Sequence, residues 1–145
     1  MSKDELSEKT DATENGEPIP IRAIVAGHGD FPDGIVSAVQ QICGRGRAIL
    51  ALSNRGLSGE DIEARLKDYI EKSGVRVFFT DLPGGSATFA VRRLMRTNPE
   101  IVLVTGANLA TLLDFVFESG SNPQEAAQRA ADKGKAALSI YGGAK

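Results

Sequence analysis

The chain carries one histidine, His28, set between Gly27 and Gly29 directly after the apolar run Ile21–Ala26. A neutral imidazole is a good nucleophile near neutral pH, because its unperturbed pKa is about 6.5. To act as one, its second ring nitrogen needs a carboxylate that holds the proton and aims the free nitrogen. Asp81 is the candidate, since it also stands just past an apolar run, Val75–Phe79. Gly84, Gly85 and Ser86 follow it and open the next helical pattern. Backbone N–H groups and the positive dipole end at a helix start favour an anion there, and the Ser86 hydroxyl adds a donor. Gly27 and Gly29 permit a tight turn and a close approach to His28. A nucleophilic ring, an orienting carboxylate and an anion cradle together describe a site for a phosphoryl group.

The elements that must position these residues alternate regularly. Short apolar runs at Ile21–Ala26, Ala48–Leu52, Val75–Phe79 and Ile101–Val104 read as strands. Helical spacing follows each: Asp33–Cys43 with Ile35, Val36, Val39 and Ile42; Ser58–Lys72 with Ile62, Leu66, Tyr69 and Ile70; Ser86–Arg96 with Ala90, Val91, Leu94 and Met95. Leu109, Leu112, Leu113, Val116 and Phe117 repeat at the spacing of a core-facing helix, which Gly120 ends. Ser58 and Asp61 form a near capping box, and Gly74 stops that helix. Asn122-Pro123-Gln124-Glu125 starts a last, Ala-rich helix that runs to about Ile140. Strands alternating with helices mean βαβ units. The expected fold is α/β: a flavodoxin-like, doubly wound, mainly parallel sheet of four to five strands with helices on both faces. In such a sheet the loops after the strands converge on one edge. His28, Ser53-Asn54-Arg55-Gly56, Asp81 to Ser86, and Thr105-Gly106-Ala107-Asn108 should meet there.

Composition narrows the class. The 145 residues fit one domain, expected over 19–145. Residues 1–18 hold two Lys against six Asp or Glu and no aromatic, and they read as a disordered acidic tail. The net charge of −2 gives no ground for nucleic-acid binding. A lone cysteine, Cys43, fits a reducing compartment and reads as a packing residue on a helix face. No apolar run reaches the roughly 20 residues of a membrane span, and the acidic start is unlike a secretory signal, so a cytoplasmic protein is expected. The sequence lacks G-x-G-x-x-G, G-x-x-x-x-G-K-[ST] and G-x-S-x-G, and one His with one Cys makes no metal site. No cofactor is expected. Arg92, Arg93 and Arg96 cluster on the third helix and read as solvated or paired, though near enough to the expected phosphate loop to meet an anion or a partner.

Three stretches in order carry a family likeness: IVAGHGDFPDGIVSAVQQICG, VFFTDLPGGSATFA and IVLVTGANLATLLDFV. From Ile21 to about Ala137 the chain resembles the enzyme IIA domains of the mannose family of the bacterial phosphoenolpyruvate-dependent sugar phosphotransferase system (PTS). The resemblance implies that His28 accepts a phosphoryl group from the phosphocarrier protein HPr and passes it to an enzyme IIB. It implies Asp81 as the orienting carboxylate and Gly84, Gly85 and Ser86 as the phosphate cradle. Through IIB the protein would serve the membrane IIC and IID components. Family members are often homodimers, sometimes with an exchanged C-terminal strand. The chain departs from the pattern at three places. Gly27 replaces the usual Ser or Thr, removing a hydroxyl near the phosphate, and Ala87 and Phe89 replace the frequent Pro and Asn. Two other readings stand beside the transport carrier. One is a regulatory PTS module phosphorylated at His28. The other is a non-PTS domain that binds a small phosphorylated ligand without covalent transfer.

Overall fold

The computed structural model describes residues 20–117 and 122–144. The acidic segment 1–18 and the helix stop expected at Gly120 lie outside them. Strands β1 (Ala23–Gly27), β2 (Ile49–Ser53), β3 (Val77–Thr80) and β4 (Val102–Val104) form one sheet in the order β2-β1-β3-β4. Every pairing in it is parallel. Helices α1 (Phe31–Cys43), α2 (Gly59–Ser73), α3 (Ser86–Met95), α4 (Leu109–Phe117) and α5 (Pro123–Ala137) connect and follow the strands. The strand order reverses direction between β1 and β3, which makes their shared end the switch point of the sheet.

Period-two alternation sorts each strand onto two faces. From β1, Ala23 and Val25 meet Ile35 and Val39 of α1, Leu112, Phe115 and Val116 of α4, and the alanines of α5. Ile24 and Ala26 meet Ile62, Leu66 and Ile70 of α2 and Ala90, Val91 and Leu94 of α3. All five residues of β1 are buried, as a central parallel strand requires. Phe79 and Phe115 pack edge to face with centroids 5.2 Å apart. Burying each such ring is worth about 1.5–3 kcal/mol over leaving it in water.

The helix ends follow the expected chemistry. Ser58 and Asp61 form a complete capping box, and Gly74 closes α2 in the left-handed conformation. Asn122 caps α5 through Gln124 and Glu125, with Pro123 at the first position. Arg22 donates to the carbonyl of Phe115 (3.1 Å) and Arg45 to that of Val116 (3.1 Å), so two guanidiniums serve the last carbonyls of α4.

Two expectations change. Ile42 and Phe117 are more than half exposed, although both keep the helical spacing of core positions. The final helix stops at Ala137, not Ile140; Leu138 already has extended backbone. Beyond Ala137 there is no described surface for Leu138, Ile140 and Tyr141 to cover, and all three are exposed. Cys43 is half-buried against the core, its thiol donating to the Val39 carbonyl at 3.3 Å.

Helices α4 and α5 cross closely at Gly134. A Cβ there would lie 1.9 Å from Thr111 Oγ1 and 3.1 Å from Asn108 Oδ1. Gly134→Ala is expected to cost about 1–3 kcal/mol of stability by overpacking, read as a lower urea midpoint with an unchanged slope.

Candidate functional site

The register builds the site. Ala26 pairs with Thr80, so one step further along the strands sets Gly27 beside Asp81, just before His28. The backbone N–H of His28 donates to Asp81 Oδ2 at 2.8 Å, and the ring Nδ1 lies 2.9 Å from the same oxygen. An ionised carboxylate only accepts, so this contact assigns the ring proton to Nδ1 in the neutral imidazole and leaves Nε2 bare. Nε2 has no hydrogen bond to any described residue. The ring is 49% exposed while Asp81 is 12% exposed, which puts the working edge outward and the anchor inward.

Partial burial pushes the Asp81 carboxyl up, but the backbone and ring hydrogen bonds from His28, with their mutual charge attraction, outweigh it. The net result lies below the ordinary value of 3.8. Asp81 therefore stays ionised throughout the physiological range.

The far edge of the ring faces the start of α3. Gly85 has φ +93° and ψ 168° at the N-cap of that helix, a conformation reserved to glycine. A Cβ on Gly85 would sit 3.0 Å from His28 Cε1 and 3.4 Å from Nε2. The bare backbone thus lets the ring reach the first N–H groups of α3, which have no intrahelical partner. Ser86 stands at that first position, and its Oγ accepts from Asn54 Nδ2 at 3.2 Å. An acceptor role there leaves the Ser86 O–H free to donate. The structure brings His28, Asp81, Gly85 and Ser86 together on the switch-point edge. Gly84 belongs to the same loop, and a Cβ on it would lie 3.8 Å from Phe89 Cζ.

Several residues that position the site went unassigned in the sequence. Asn54 ties the loop after β2 to both others, through Ser86 and through its backbone N–H to the Gly27 carbonyl (2.8 Å). Thr80 and Thr88 are buried, and their hydroxyls lie 2.8 Å apart. Thr88 Oγ1 also donates to the Leu82 carbonyl at 2.6 Å, which clamps the Asp81 loop onto α3. Arg55 pairs with Asp30 at 3.0 Å and lies over Gly29. The signal for these was faint: polar residues in the loops expected to converge, with nothing to say which would touch. Asn108, in the fourth loop, caps α4 by accepting from the Thr111 N–H (3.0 Å) and donates to the Gly134 carbonyl (2.9 Å), so it serves the helix pair. The arginine cluster is not at the anion end. Arg92 and Arg93 lie in the last turn of α3, and Arg93 pairs with Glu63 of α2.

Comparisons with known proteins fit this geometry. The family model described as the PTS system fructose IIA component (EIIA-man) matches residues 22–131, more than half of the chain. The chain belongs to this family of mannose-type phosphotransferase IIA components. No curated protein sequence matches it. Among solved structures, the mannose/sorbose-specific IIA subunit from Enterococcus faecalis is similar, with TM-score 0.74, 22% identity, and coverage of 88% of this chain and 98% of that one. A phosphotransferase system component EIIA from Streptococcus agalactiae has TM-score 0.65, 24% identity and coverage of 78% and 93%. The PTS IIA protein associated with the fucose utilization operon from Streptococcus pneumoniae has TM-score 0.64, 22% identity and coverage of 77% and 88%. At these identities the likeness establishes the shared fold. Among the described residues no helix is long and apolar enough to cross a membrane, and no cluster of three metal-binding side chains occurs.

Because the folded-state pKa of Asp81 is lowered, its ionisation stabilises the fold above the ordinary value of 3.8 and the gain fades as pH falls through the lower, folded value. Asp81→Asn should therefore be less stable than wild type at pH 7, and the gap should close in acid. Denaturant unfolding of both proteins between about pH 7 and pH 2 checks this; a gap independent of pH would contradict it.

Proposed function

We propose that the protein is a phosphohistidine carrier of the sugar phosphotransferase system, with His28 as the acceptor. The observation that carries this reading is the single carboxylate oxygen holding both N–H groups of His28, with Nε2 bare beside the N-terminus of α3. In the proposed step, Nε2 attacks the phosphorus presented by HPr, an N–P bond forms, and the bond from phosphorus to the donor breaks. Three oxygens carry charge as this happens. The N–H groups at Gly85 and Ser86 and the Ser86 hydroxyl meet that charge, with Gly84 giving the loop its clearance. Asp81 keeps Nδ1 protonated and offsets the positive charge that the ring gains. The reverse motion delivers the group to an enzyme IIB, and through it to the IIC and IID membrane components. We place the protein in the cytoplasm, where HPr works.

The exposed C-terminal stretch points to a homodimer. Leu138, Ile140 and Tyr141 are 85%, 94% and 90% exposed, and among the described residues β4 pairs on one side only, with β3. Strand addition between copies would cover both. A regulatory role without transport is favoured by one observation. Phe89, at a position where the family pattern often has Asn, is 48% exposed beside the phosphoryl loop and changes the surface a partner would meet.

Incubation with phosphoenolpyruvate, enzyme I and HPr should yield an acid-labile adduct one phosphoryl group heavier in intact mass. His28→Ala should give none. Asp81→Asn should be phosphorylated on the order of a hundredfold more slowly, through loss of tautomer and aim. Transfer from the charged protein to an enzyme IIB supports the transport reading, and charging without transfer to IIB supports the regulatory one. No adduct with charged HPr present would overturn both. Truncation after Ala137 should convert a dimer to a monomer in analytical ultracentrifugation; an unchanged mass would contradict the strand addition.

A further inference from the structure

We propose that Arg55 is a phosphoryl-binding residue: its guanidinium, held on Asp30 at the rim of the site, moves onto the phosphoryl group that His28 takes up. The inference rests on the reading of His28 as phosphoryl acceptor. A phosphoryl group on Nε2 sets about two negative charges close to the ionised Asp81. The four loops at the switch-point edge, residues 27–30, 54–58, 81–86 and 105–108, contain Asp30, Asp81 and a single Lys or Arg, which is Arg55. The dipole of α3 meets part of the new charge. A guanidinium is always protonated and gives two parallel N–H bonds to a phosphoryl group, so it meets that charge more strongly.

The backbone of Arg55 is anchored where this movement is possible. The residue before it, Asn54, donates its backbone N–H to the Gly27 carbonyl (2.8 Å) and its Nδ2 to Ser86 Oγ (3.2 Å). The Arg55 N–H is itself held by Ser53 Oγ at 3.1 Å. The side chain thus starts between the strand end that leads to His28 and the first residue of the phosphate cradle. It lies over the residue after His28, since a Cβ on Gly29 would be 3.4 Å from Arg55 Nη2. Its partner there is Asp30, with Nη1 3.0 Å from Oδ1 and both side chains largely in solvent. An ion pair so open to water is weak, and a doubly charged phosphoryl group competes well for the same guanidinium. Asp30 also stands at the N-cap of α1 without making a side-chain cap hydrogen bond. Its carboxylate serves Arg55 in place of the helix, and on release it returns to water at little cost.

The test uses the full chain in three forms, wild type, Arg55→Gln and Arg55→Lys, each charged through phosphoenolpyruvate, enzyme I and HPr. The first readout needs no partner: the 31P signal of the charged protein, followed through pH. A cation beside the phosphoryl group favours its doubly charged form. Wild type should therefore titrate about 0.5–1 pH unit below Arg55→Gln, with Arg55→Lys close to wild type. The second readout is the charging rate at saturating HPr. It should fall about tenfold to a hundredfold in Arg55→Gln, with the KM for HPr little changed, and Arg55→Lys should recover most of it. Equal 31P midpoints in wild type and Arg55→Gln would overturn the proposal. A loss confined to the KM for HPr would overturn it too, since that marks a residue which only docks the donor. If wild type takes up no phosphoryl group from charged HPr, the acceptor reading falls and the role of Arg55 falls with it. An adduct that forms and titrates alike in all three proteins removes the role of Arg55 alone.

Discussion

The pairing of β1 with β3 is the constraint on which the site depends. Both strands lie in the interior of the sheet, between β2 on one edge and β4 on the other, and their in-register ends stop within one residue of each other. The cores on both faces of the sheet fix that register, since a slip of one residue would turn Val25 and Phe79 to the wrong layer. Once it is fixed, Gly27 and Asp81 are neighbours and His28 leaves the sheet directly above them. The chemistry is thus positioned by hydrophobic burial many ångströms below it. Loops supply the polar groups, and the strands supply their alignment.

Electrostatics adds to this in a graded way. The half-exposed His28 and the mostly buried Asp81 share a contact in which one oxygen meets two N–H groups from a single residue. The cost of removing the carboxylate from water is met locally, and the balance still favours its charged form. The Asp30–Arg55 pair, a few residues away, has both side chains largely in solvent. Such a pair is worth on the order of 0–1 kcal/mol and orders the rim without determining it. Between these extremes stand the threonines at 80 and 88, neutral groups whose burial makes their hydrogen bonds costly to lose.

Much of the fold and of the meeting of His28 with Asp81 was legible in the sequence. Each residue closes an apolar run, and in alternating α/β chains such run-ends gather at one edge. The capping box at Ser58, the stop at Gly74 and the start at Asn122 were legible because they depend on neighbours within four residues. The partnership of Asn54 with Ser86 spans 32 residues and depends on β2 lying beside β1, which local pattern does not encode. Thr88 read as one more helix residue, because its value lies in a hydroxyl aimed back at its own loop. Ile42 and Phe117 keep the helical spacing to the last turn yet stand in solvent, because spacing alone does not say what faces a helix at its end. Arg93 is paired, as a charged residue on a helix face is expected to be, and just over two helical turns separate it from Gly85 and bring it to Glu63.

The ring of His28 opens to solvent on one side and is backed by Asp81 and the start of α3 on the others. Under the phosphocarrier reading this has a consequence for traffic. A group that arrives at Nε2 must leave through the same mouth, so the donor has to depart before the acceptor can dock. Charging and discharging then alternate as separate half-reactions, and a complex of all three proteins is sterically forbidden. The donor and the acceptor would then also share a single footprint, in which Leu82 on the Asp81 loop and Phe89 on the first turn of α3 are exposed. Two partners with different duties must therefore offer this molecule look-alike faces, and a change at either side chain is felt by both.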